Sequence, residues 1–62
     1  MYQALKARYQ AKKLKALAHM RLFMENSVGV ADHPDLLDTI ASHAEELAHA
    51  EDVLDSLEEN FE

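Results

Sequence analysis

The stretch Ser27-Val28-Gly29-Val30-Ala31-Asp32-His33-Pro34 holds the only glycine and the only proline of this 62-residue chain, and its reading decides the fold. Gly29 suits the left-handed position just past a helix end, with Val30 set to pack back on the last turn. Asp32 reads as the N-cap of a second helix, with Asp35 following in a capping-box-like arrangement. Pro34 falls in the first turn, where its missing N–H is not needed. Asp35 and Asp38 add negative charge where the helix dipole is positive. One helix therefore ends in this stretch and another begins.

Working outward, residues 2–27 are rich in Ala, Leu, Lys, Arg, Gln and Met, all good helix formers. Leu5, Tyr9, Ala16, Met20, Phe23 and Ser27 recur at helical spacing, with Tyr2, Leu17 and Met24 beside them, and form one broad apolar face. A second, narrower stripe of Ala4, Ala7, Ala11, Leu14, Ala18 and Leu22 runs roughly opposite. A helix with two apolar stripes needs two neighbours, one from its own chain and one from another. Alanine is also simply a good surface helix former, which is the plainer reading of the second stripe. On the far side of the turn, Leu36, Ile40, His43, Leu47, Ala50, Leu54, Leu57 and Phe61 alternate spacings of four and three without a break. That is the seam of an antiparallel bundle. Leu37, Ala41, Ala44 and Ala48 widen the stripe on one flank.

Charge divides at the same point. All six basic residues lie between Lys6 and Arg21, and eleven of the twelve acidic residues lie between Asp32 and Glu62. Folding about Gly29–Val30 is expected to bring Lys6 near Asp55, Arg8 near Asp52 and Lys15 near Glu46. Glu58, Glu59 and Glu62, which oppose the dipole of their own helix, then meet the positive start of the first. Each exposed pair is worth only a few tenths of a kcal/mol; together they reject the parallel arrangement.

The expected architecture is a single all-α unit over 1–62: helix 1 at about 2–27, a loop at about 28–32, helix 2 at about 33–60, forming an antiparallel helical hairpin. A domain this small buries only about 60 % of its unfolded surface. It needs disulfides, metal or oligomerisation to be stable. There is no cysteine, so dimerisation into a four-helix bundle is the expectation. The candidate core and oligomer-interface residues are Leu5, Tyr9, Ala11, Leu14, Ala18, Met20 and Phe23 on helix 1, and Ile40, His43, Leu47, Leu54 and Leu57 on helix 2.

Sites with chemistry are scarce. Glu46-Leu47-Ala48-His49 has the Glu-x-x-His form of half a carboxylate di-metal ligand set. Helix 1 offers only Glu25 as a matching carboxylate, at the loop end, so a solvated polar face is the reading and no metal or other cofactor is expected. His43 is the only polar residue on the seam, and its expected neighbour is Ala18 or His19; a His19–His43 contact would make stability pH-dependent. His33 reads as a first-turn residue. No Ser/His/Asp or Cys/His set with third-residue support is present, so no catalytic residue is assigned and an enzyme is not expected. Arg8, Lys12, Lys13 and Lys15 form the one candidate nucleic-acid footprint, but they do not share a clean face. The net charge of −6 makes nucleic acid an improbable partner. No apolar run reaches membrane-spanning length, and no apolar segment follows the early lysines as a leader would. The expected setting is the cytoplasm of a bacterial host, or a virion.

The segment from Asn26 to Pro34, between an MYQALKARYQAKK start and an LAHAEDVLDSLEENF end, resembles small two-helix proteins encoded by tailed phages of marine bacteria. The resemblance spans nearly the whole chain. It implies a viral or environmental origin and brings no activity with it. In size and in its single bend the chain is also similar to the plasmid repressor-of-primer protein, a dimeric four-helix bundle that binds RNA through its first helices. No residue motif of that family is present, so none of its functional positions is carried over. Two functions follow as expectations: a homodimeric structural or adaptor protein acting on an unknown protein partner or, as the alternative, a dimeric RNA- or DNA-binding bundle.

Overall fold

The computed structural model describes residues 1–25 and 34–62. The expected turn at Gly29, the Asp32 cap, His33 and the end of helix 1 at 26–28, with Ser27, lie outside the described residues. Helix α1 runs over Tyr2–Glu25 and helix α2 over Pro34–Phe61. Every described residue except Met1 and Glu62 is helical, and no strand occurs among them. The fold is all-α.

The local reasons are visible at the ends. α2 starts at Pro34 with Asp35 in its first turn, where a ring without N–H and a carboxylate both suit the unpaired amide end. The Thr39 hydroxyl donates back to the Asp35 carbonyl at 3.0 Å, and Asn60 Nδ2 donates to the Ser56 carbonyl at 2.8 Å. The backbone ladder reaches both ends of the described chain. The Leu5 N–H donates to the Met1 carbonyl at 3.0 Å, and the Glu62 N–H to the Glu58 carbonyl at 3.2 Å.

The two helices touch from end to end. Tyr2 meets Phe61 with ring centroids 6.5 Å apart, Lys13 meets Glu51, and His19 meets His43. On α2 the residues turned inward are those of the heptad: Ile40, Ala50 and Leu57 are buried, and Leu36, His43, Leu47 and Leu54 are partly buried. Phe61 continues the spacing but is 71 % exposed. On α1 the inward set is Tyr2, Lys6, Tyr9, Lys13, Ala16, Met20 and Phe23, with Leu17 and His19 beside it. The two lysines keep the four-and-three alternation going with their aliphatic stems against the seam and their ammonium groups at its edge.

The core is thin. Among the described residues, only Ala16, Ile40, Ala50 and Leu57 are buried apolar residues, and no large side chain is fully buried. The two most enclosed residues are alanines, one on each helix, each 1 % exposed. The molecule measures 45 × 14 × 13 Å, with a radius of gyration of 14.2 Å; a compact chain of this length would have about 10–11 Å. Its accessible surface is 4812 Å², where a compact monomer of 7.0 kDa would expose about 4,000 Å².

Candidate functional site

Three places carry interactions or exposure that a function could use. The first lies where the later part of α1 meets the early part of α2. His19 Nδ1 and His43 Nδ1 face each other at 3.3 Å, with ring centroids 4.3 Å apart. Phe23 also stacks on His43, with ring centroids 5.9 Å apart. Glu46, one turn along α2, sets a carboxylate oxygen 3.7 Å from the same His43 nitrogen. One of the two Nδ1 atoms donates and the other accepts, according to the tautomers present.

The second place is formed by the start of α1 and the end of α2. Lys6 Nζ donates to Glu62 Oε1 at 3.3 Å, and it also lies 5.9 Å from the centre of the Tyr2 ring. The expected partner of Lys6 was Asp55, which lines the same shallow groove. The longer reach follows from helix geometry. A helical side chain leans toward the N-terminus of its own helix, and for α1 that direction leads to the end of α2. Lys13 pairs with Glu51 at 3.7 Å. The expected Lys15–Glu46 pair is only a shared groove. Among the described residues, neither Arg8 nor Lys15 forms an ion pair.

Here too, the Tyr2 hydroxyl is shut off from solvent without a partner at hydrogen-bonding geometry. Its burial first, and then the Glu62 and Glu58 carboxylates, push its pKa up to about 12. The Glu62 carboxyl is held below the usual range by the Tyr2 hydroxyl and, after the opposing effect of burial, by Lys6. The proton therefore stays on Tyr2 in the folded state after the unfolded state has lost it. Stability is fully present below the ordinary tyrosine value of about 10 and is lost as pH rises from there toward the folded value. In a Tyr9→Phe variant, tyrosinate absorbance should rise near pH 12 while circular dichroism still reports helix. Glu62→Gln should move that rise toward the ordinary value. An unshifted rise in the folded Tyr9→Phe protein would contradict the assignment.

The third place is the outer side of α1. Ala4, Ala7, Ala11 and Ala18 are exposed, with Leu14 at 66 % exposure. Leu22, on the same stripe, is 56 % exposed and Leu5, at its flank, 38 %. Of the basic residues singled out from the sequence, Arg8, Lys12 and Lys15 are exposed and Lys13 is partly buried. Lys12 Nζ lies 5.4 Å above the Tyr9 ring, whose edge also meets His49 with centroids 6.2 Å apart. Glu46 and His49 are both exposed and line one groove with Lys12 and Lys15. Among the described residues, no three His, Asp or Glu side chains converge as a metal centre, and no helix is long and apolar enough to cross a membrane.

Sequence reasoning missed the seam positions of Lys6 and Lys13, because it counted apolar residues only. The signal was present: Tyr2, Tyr9, Ala16 and Phe23 are spaced by sevens, and Lys6, Lys13 and Met20 fill the intervening heptad positions. No protein family matches the chain, and no curated protein and no solved structure is similar to it.

Proposed function

We propose that this chain is an antiparallel helical hairpin that pairs with a second copy through the outer side of α1, forming a four-helix bundle that serves as a small non-enzymatic structural or adaptor protein. The observation that carries the pairing is the mismatch between a core of four buried apolar residues among those described and a continuous face of alanines and leucines left in solvent on α1. The contacts of Tyr2 with Phe61 and of Lys6 with Glu62 support the antiparallel order. So does a long dimension of 45 Å, since a 28-residue helix alone is about 42 Å long.

The surface chemistry supports a protein partner. The acidic residues of α2 are exposed along its length, and such a field steers partners with basic surfaces. The proposed setting, a bacterial cytoplasm or a virion, rests on the resemblance to small phage proteins alone. One observation favours nucleic acid as a second reading: Arg8, Lys12 and Lys15 are exposed, and neither Arg8 nor Lys15 has an ion-pair partner among the described residues. Against it, Glu46 shares the groove between Lys12 and Lys15, so a phosphate seated there meets a carboxylate.

An anisotropy titration with duplex DNA, hairpin RNA and single strands at low salt separates the two readings. The adaptor reading expects no low-micromolar binding. Salt-sensitive binding that weakens when Arg8, Lys12 and Lys15 become alanine would replace it with the nucleic-acid reading.

A further inference from the structure

On the outer side of α1, Ala7, Ala11, Leu14, Ala18, Leu22 and Glu25 follow one another at steps of three or four residues, so they share one face of the helix. All six are exposed. Glu25 is the only acidic residue of α1, and Arg8 stands at the edge of the same face, next to Ala7. Like Arg8, Glu25 has no ion-pair partner among the described residues. The two lie at opposite ends of this face, about 25 Å apart along the helix, and cannot meet within one chain.

The face is complementary to its own reverse. Consider a second α1 laid antiparallel upon it, with a two-fold axis passing at the level of Ala16. Leu14 then falls opposite Ala18 of the second copy, and Leu22 opposite Ala11, so each large side chain meets a small one. In the same register Arg8 comes opposite Glu25 of the second copy, and the symmetry makes that pair twice. The two helix dipoles also oppose one another, which is the attractive arrangement. A parallel pair does the reverse. It sets Leu14 against Leu14, Leu22 against Leu22 and the carboxylate of Glu25 against its own copy.

We propose that the second copy docks antiparallel on the outer side of α1, with the two α1 helices at the centre and Arg8 of each copy paired with Glu25 of the other. This rests on the pairing proposed above and adds its direction and register. Charge complementarity names the occupant: the face holds one unpaired cation and one unpaired anion at the two ends, and a reversed copy presents both in the matching order. Exposed ion pairs add little affinity, but they fix register and reject the wrong one.

The test uses the whole chain, which has no cysteine, so Gln3→Cys takes a single nitroxide label at an exposed position. Dipolar spectroscopy should give a label-to-label distance of about 40 Å, the span of roughly 26 residues of helix. A parallel pair would hold the labels within about 20 Å, because packed helix axes stand only about 8–10 Å apart. A clearly shorter distance in a species of twice 7.0 kDa would overturn the direction or register and leave the pairing intact. A 7.0 kDa species without dipolar coupling would overturn both. Charge reversal gives a second reading. Arg8→Glu and Glu25→Arg should each weaken self-association about fivefold or more at low salt, and the double variant should recover it, since the reversed charges meet only between copies. A double variant no better than the single ones would overturn the Arg8–Glu25 pair.

Discussion

Leu57→Ala is expected to lower the stability of the protein by about 2–5 kcal/mol. Leu57 is 8 % exposed and is one of four buried apolar residues among those described. Truncating a buried leucine costs about 2–5 kcal/mol, from lost transfer energy plus the cavity left behind. A domain of 62 residues has a total stability of about 3–9 kcal/mol, so the loss is a large share of it. The cavity would open beside Leu5 and Phe61, which line a shallow apolar depression with Leu57, Tyr2 and Met1, and partial collapse of these side chains sets where in the range the cost falls. Leu54→Ala, at a partly buried position, is expected to cost less. Urea melts followed at the helical band measure both. Equal and small losses for the two variants would mean that the described core does not hold the helices together.

The division of the chain into two helices was legible because its determinants are local. Pro34 is punctuation that needs no tertiary context, and α2 begins there; Gly29 and Asp32 lie outside the described residues. The α2 stripe was legible as well, since Ile40, Ala50 and Leu57 follow from a single spacing rule. What the sequence hid depends on pairing between helices. The phase of α1 was blurred by lysines at seam positions, whose stems count as polar in a periodicity search although they pack as hydrocarbon. The register of the ion pairs was displaced because side chains lean along their helix, which carries Lys6 to Glu62 instead of Asp55. The His19–His43 contact was foreseen as a neighbourhood; that it joins two Nδ1 atoms at 3.3 Å depends on rotamers that only packing selects.

Leu14→Glu carries the second large effect, because its consequence differs by kind between a lone chain and a pair. In the single chain Leu14 is 66 % exposed, and an exposed substitution of this type changes stability by no more than about 0.5 kcal/mol. In the proposed pair Leu14 lies on the face between copies, flanked by Ala11 and Ala18. A carboxylate enclosed there loses its hydration in place of an apolar contact, and taking a charge out of water costs several kcal/mol. Lengthening the stripe with bulk would act in the same direction, since the alanines hold the two faces close. The variant should therefore separate the copies.

Sedimentation equilibrium on the unmutated protein and on Leu14→Glu, at micromolar concentration, tests the paired bundle most directly. The account predicts about 14 kDa for the first, twice the 7.0 kDa of one chain, and a shift toward 7.0 kDa for the second. A folded, helical species of 7.0 kDa in the unmutated protein, with Leu14→Glu indistinguishable from it, would contradict it.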